Sequence, residues 1–218
     1  MGMIYFTIFI LCVSEIVSGT VNVTGDGAIK KVLKDYNKYA YPGTTDHPIV
    51  KITHALNPVK MDYNPKGMFI QVWSQMNWND RRLTWAGPPA KIHLPMSLIW
   101  TPDLVLYNNA IPKPSYEPNA VISQNGDVIV VPVNQYETDN CTKNDDVIEC
   151  QFKFGSWTYS GNEIELAVVS PHMMLDNYRE NPEYEIVGSS AVRNEQKYSC
   201  CPEMYYDILY TIQIKRRQ

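Results

Sequence analysis

The 218-residue chain has a net charge of −4 and globular proportions of apolar and charged residues. That length builds one domain with a real core, or at most a large sandwich. Lys and Arg form no run before the last few residues, which excludes the basic stripe of a nucleic-acid-binding protein. The small acidity is that of a solvated surface and draws cations only weakly.

Residues 3–13 are almost all apolar, and Val17-Ser18-Gly19 offers small residues at a cleavage point. Residues 1–19 therefore read as a secretory signal peptide, although the segment lacks an early Lys or Arg. A buried first strand or helix is the competing reading. No second apolar run approaches the ~18 residues that span a bilayer. The expectation is a mature chain, residues 20–218, that is secreted, extracellular and not inserted into a membrane. The sequons at Asn22 and Asn140 fit that setting as glycosylation acceptors.

Residues 27–39 follow a helical pattern, with Ala28, Val32, Leu33 and Tyr36 on one face and Lys30, Lys31 and Lys34 outside it. Pro42-Gly43 stops it. The remainder reads as strands punctuated by Pro, Gly, Asn and Asp. They cover 49–61 (interrupted at Asn57-Pro58), 68–85, 92–94, 103–107, 120–124, 127–133, 151–159, 163–170, 183–187 and 207–215. Asn125-Gly126 between two of them predicts a hairpin with a type I′ turn. Many short strands with turn punctuation indicate an antiparallel sandwich or barrel.

The strand at 68–85 has two unlike faces. Ile70, Val72, Met76 and Trp78 belong in a core, while Gln71, Gln75, Asn77 and Asn79 face the other way. Trp73 stands on that polar face. It reads either as a partly buried surface residue or as an interface or ligand contact.

Without Cys12, which falls in the leader, Cys141, Cys150, Cys200 and Cys201 remain. An even count in a secreted chain favours disulfides over metal ligation. Four cysteines allow three pairings, and the sequence-local choice joins Cys141 to Cys150 and Cys200 to Cys201. A bond between neighbours closes almost no chain, so it staples a fold poorly. It suits stiffening a loop tip that shapes a site. Tyr198, Tyr205 and Tyr206 flank that tip. Aromatic faces attract cations by roughly 0.5–2 kcal/mol each, and micromolar binding needs about 8 kcal/mol. Several rings plus desolvation can supply that for a small cation.

No catalytic or metal-binding constellation accompanies these features. The four histidines are scattered, and no GxSxG, HExxH or phosphate-cradling loop occurs. Redox thiols use CxxC beside a helix start, unlike the Tyr198-Ser199-Cys200-Cys201-Pro202 loop. The expectation is a binding protein without enzymatic activity, cofactor or metal.

Four segments together resemble the ligand-binding domain of nicotinic acetylcholine receptors, within the Cys-loop superfamily. Trp100-Thr101-Pro102-Asp103 through Tyr107-Asn108-Asn109 is similar to the first binding loop. Lys153-Phe154-Gly155-Ser156-Trp157-Thr158-Tyr159 is similar to the second, and Tyr198 through Tyr205 to the third. Val72 to Asp80 resembles the strand that faces a neighbouring subunit's pocket. The resemblance implies an all-β fold, an immunoglobulin-like β-sandwich of about ten strands with an N-terminal α-helix, assembled as a homopentamer with ligand between subunits. It assigns the principal side to Tyr107, Trp157, Tyr198, Cys200, Cys201 and Tyr205, and the complementary side to Trp73, Ile129 and Val131. It also implies that Lys153 and Asp207 couple to the capping-loop Tyr198. The implied ligands are acetylcholine, nicotine-like agonists, competitive antagonists and toxins.

Two departures bear on the kind of relative. Only eight residues, all but two of them polar, separate Cys141 from Cys150, where receptors have a longer loop with an apolar Phe-Pro-Phe-Asp segment. The sequence given stops at Gln218, where receptors pass into their first transmembrane helix. Both resemble the soluble acetylcholine-binding proteins of invertebrates. The alternative is a nicotinic receptor's extracellular domain cut before its first membrane helix.

Overall fold

The computed structural model describes residues 25–108, 113–116 and 118–218. The expected leader and Asn22 lie outside the described residues. Helix α1 (Asp26–Leu33) opens the chain and buries Ala28 and Val32. It stops well short of residue 39. Tyr36 leaves the helical path because its hydroxyl donates to buried Asp80 at 2.7 Å and accepts the Trp100 amide at 2.9 Å. Arg82 then takes the freed carbonyls of Asn37 and Ala40. These tertiary bonds outweigh the modest helix propensity of Asn37 and Tyr39.

Among the described residues thirteen strands follow: β1 (Val50–Asn64), β2 (Gly67–Thr84), β3 (Lys91–Pro95), β4 (Leu104–Leu106), β5 (Lys113–Tyr116), β6 (Asn119–Ser123), β7 (Asn125–Val130), β8 (Val133–Thr138), β9 (Cys141–Asn144), β10 (Val147–Ser156), β11 (Ile164–Val168), β12 (Tyr184–Lys197) and β13 (Met204–Arg216). One sheet runs β11-β1-β2-β7-β6-β3, with β8 paired to β2 and β5 to β8. The other runs β12-β13-β10-β4, with β9 on β10. The inner faces meet over Ile52, Leu56, Ile70, Phe152, Phe154 and Ile212, all essentially without solvent contact. This is the expected two-sheet sandwich with its N-terminal helix.

The count exceeds ten because short ladders escape a hydrophobic reading. β9 is polar throughout and exists by pairing with β10. Pro132, which has no amide hydrogen to donate, separates β7 from β8, so the single strand expected at 127–133 is two. Asn57-Pro58 does not break β1; the register against β2 shifts there as a bulge. The β6–β7 hairpin forms, but not with a type I′ turn. Only Gly126 of the pair has positive φ (85°), whereas type I′ needs both.

Alternation in β2 is as read: Ile70, Val72, Met76 and Trp78 are buried, and Trp73 stands 37 % exposed on the outer face.

Candidate ligand-binding site

The second sheet ends in an open rim where β4, β10 and the β12–β13 hairpin meet. There Tyr107, Asn108, Lys153, Ser156, Trp157, Tyr198, Cys200, Cys201 and Tyr205 line a cleft of 550 Å³. All six residues expected on the principal side are in that set. The structure forms both sequence-local disulfides, Cys141–Cys150 and Cys200–Cys201.

Tyr107 follows β4 and is seated by the backbone of β10. Its amide donates to the Lys153 carbonyl at 2.7 Å, and its hydroxyl donates to the Ser156 carbonyl. The ring lies on Gly155, where any Cβ would collide with it. Burial, then the neighbouring Tyr198, pushes the Tyr107 phenol above its ordinary pKa, so it remains a donor. Asn108 continues this stitching, accepting from the Lys153 amide and donating to the Gln151 carbonyl, each at 2.8 Å.

Trp157 begins the turn after β10 and is 71 % exposed. Its position is nevertheless fixed. Its amide donates to the Asp103 carbonyl, and the Asp103 carboxylate accepts from Ser156 Oγ, the Thr158 amide and Thr158 Oγ1 at 2.6–2.8 Å. The Trp157 ring meets Tyr107 edge-on at 6.3 Å. Tyr198 and Tyr205 meet similarly at 5.5 Å on opposite arms of the capping hairpin. Two aromatic pairs therefore border one opening, with the Cys200–Cys201 disulfide at its lip.

Beneath the hairpin, Lys153 Nζ lies 3.0 Å from Asp207 Oδ2, whose side chain is 2 % exposed. The distance makes an ion pair, while that oxygen receives no aligned hydrogen bond. The other oxygen takes one from Asn194 at 2.9 Å. Asp207 thus ties β13 to both neighbouring strands.

Trp73, Ile129 and Val131 lie on the other sheet, outside the cleft of their own chain. Asn77 pairs with Ile129 across the β2–β7 ladder, which puts Trp73 and the 40 % exposed Ile129 on one outer face. Val131 is half-buried just past the end of β7. Asn140 is exposed, its amide nitrogen 3.2 Å from Gln151 Oε1. The Cys141–Cys150 loop is a polar hairpin with Asp145 and Asp146 at its solvent-facing turn. Asp103, Asn108, Gly155 and Asn194 were not singled out as site residues. Asp103, Asn108 and Gly155 had as their one signal a place in the motif segments; Asn194 meets Asp207 only once β12 pairs with β13, which leaves no local pattern.

The family model for the neurotransmitter-gated ion-channel ligand binding domain matches residues 26–218. The chain belongs to that family. It is 32 % identical over 212 residues to the neuronal acetylcholine receptor subunit alpha-2 of Homo sapiens, covering 91 % of this chain and 40 % of the receptor subunit. It is 29 % identical to the alpha-3 subunit of Carassius auratus, covering 98 % of this chain and 44 % of the subunit. The chain therefore spans less than half the length of these relatives. The fold is also similar to that of Capitella teleta AChBP in complex with lobeline, with TM-score 0.77 and 25 % identity over 88 % of this chain and 98 % of that one. Among the described residues no helix is long and apolar enough to cross a membrane.

Proposed function

We propose that this chain binds acetylcholine and related nicotinic cations in aromatic pockets between the subunits of a secreted homopentamer. The observation that carries the proposal is the open cleft of Tyr107, Trp157, Tyr198 and Tyr205 under the Cys200–Cys201 tip. Ring faces stabilise a quaternary ammonium without a buried carboxylate. Trp157 offers its ring face and its carbonyl. Trp73, with Ile129 and Val131, closes the pocket from the next subunit, so one chain carries both halves. The reading implies no enzymatic step, and the aromatic set needs no cofactor or metal.

The short hairpin between Cys141 and Cys150 favours a soluble binding protein, because its exposed residues, 142–146, are all polar and suit water better than a membrane-embedded partner. The match to 40–44 % of longer receptor subunits supports a second reading, a receptor's extracellular domain. Sequencing the transcript past the Gln218 codon separates the two. A stop codon supports the first, and a hydrophobic run of ~20 residues supports the second.

Binding itself is tested by titrating carbachol against intrinsic tryptophan fluorescence in the oxidised protein, with its mass measured by light scattering. The expected result is a saturable response from a pentamer. Trp157→Ala should weaken binding more than about tenfold. A pentamer that gives no response, or unchanged affinity in the variant, overturns the proposal.

A further inference from the structure

The capping hairpin is gripped on two faces at one level. On the outer face, Asp207 holds Asn194 and Lys153. The inner face there is the margin of the apolar core: Ile208, opposite Arg193, is fully buried, and Tyr206 packs partly buried against the core. Arg193 lays its guanidinium 4.0 Å from the centre of the Tyr206 ring. Its Nη1 donates to Glu195 Oε1 at 2.9 Å. Its Nε is buried and finds no hydrogen-bond partner among the described residues. A buried donor left unpaired carries a desolvation penalty, so the ring stack and the Glu195 contact must hold the guanidinium there.

Tyr206 in turn packs on the turn that follows Trp157. A Cβ on Gly161 would stand 2.8 Å from the Tyr206 ring, and the Gly161 amide donates to the Met204 carbonyl at 2.7 Å. The layers therefore run Gly161, Tyr206, Arg193. They join the backbone of the Trp157 turn to both arms of the capping hairpin. Beyond them only two further ladder pairs, Gln196 with Tyr205 and Lys197 with Met204, precede the disulfide tip.

We infer that Arg193 and Tyr206 are positioning residues, a latch that sets the height of the Cys200–Cys201 tip over Trp157 and thereby the residence time of the bound cation. The inference rests on the cleft being the ligand site. Neither side chain lines that cleft, so the latch acts through Tyr198 and Tyr205 above it and Trp157 below. A contact of this type, partly withdrawn from water, supports a change of about fivefold in off-rate when either partner is lost.

The test uses the intact protein and the variants Arg193→Gln, Tyr206→Leu, their double and Arg193→Lys. Hydrogen exchange at the amides of residues 198–201 and 203 is read without ligand, and carbachol dissociation is read by stopped-flow fluorescence. The expected result is faster tip exchange and about fivefold faster dissociation in each single variant. The double should be no worse than either single, and Arg193→Lys should recover most of the effect. Tip exchange equal to wild type, additive losses, or no rescue by lysine overturns the latch. If Tyr206→Leu fails to fold, Arg193→Gln and Arg193→Lys decide the matter alone. A wild-type protein that binds no carbachol refutes the ligand site instead, and the exchange experiment still decides whether the latch exists.

Discussion

Trp100 and Trp157 are each placed against a tyrosine, yet their surroundings are opposite. Trp100 is 4 % exposed. Tyr41, Trp78 and Tyr159 surround it at 5.9–6.0 Å, and its Nε1 donates to the Tyr159 hydroxyl. Trp157 has the Tyr107 edge on one side and open cleft on the other. The two clusters share a short stretch of chain, since Tyr159 belongs to the buried one and Trp157 to the open one. Thr158 between them is pinned by Asp103. The closed cluster fixes the backbone, and that fixation lets a large apolar ring remain in water without collapsing onto the core.

The comparison is sharpest when both rings are deleted. Trp100→Ala removes a fully packed indole and should cost about 3–5 kcal/mol, read as a lower urea midpoint. Trp157→Ala removes a ring with few contacts and should change stability by no more than about 0.5 kcal/mol. A similar stability loss in both variants would show that the open cluster is structural.

Acid tests the interior by another route. His54 is fully buried, with Ser74 Oγ at 2.9 Å from Nε2 and the Tyr210 hydroxyl at 3.0 Å from Nδ1. Phe154 packs on its ring. Burial lowers its pKa from 6.5 to about 4. The unfolded chain therefore takes up this proton first as the pH falls. The His54 contribution is complete above pH 6.5 and is lost progressively toward about pH 4, by at most about 3 kcal/mol. Urea midpoints across this window should fall in wild type, and the slope should flatten in His54→Gln. An unchanged slope would remove His54 as the cause.

Much of this was legible before any coordinates. β2 announced both faces because one is dry and the other wet, and a period of two leaves no other phase for Ile70, Val72 and Trp78. The adjacent cysteines and their flanking tyrosines marked the cleft. What was hidden is held by pairing and not by burial. β12 continues to Lys197 through Arg193, Glu195 and Gln196, polar residues that carry no alternation because the strand edges its sheet. Gly155 gave no hint that Tyr107 would lie on it, since the two meet only after β4 pairs with β10. His54 read as one of four scattered histidines because its partners come from β2 and β13.

The smallest expected effect separates the two sheets. Trp73 is exposed, though only about half as much as Trp157, and lies on the outer face of β2, among Gln71, Gln75 and Asn77. A core tryptophan would cost about 3–5 kcal/mol on truncation. Trp73→Ala should instead leave the urea midpoint of the separated subunit unchanged and weaken carbachol binding by the assembled protein about three- to tenfold. The asymmetry follows from position. Trp157 stands on a turn tied to its own cleft, whereas under the proposed function Trp73 acts on the cation only across a subunit boundary. Mixed assemblies test this directly. In a pentamer that mixes Trp73→Ala with Trp157→Ala subunits, an interface formed by the intact Trp157 face of one and the intact Trp73 face of the other retains wild-type affinity. If no wild-type site reappears in the mixture, Trp73 does not act across the boundary, and its exposure is that of an ordinary surface residue.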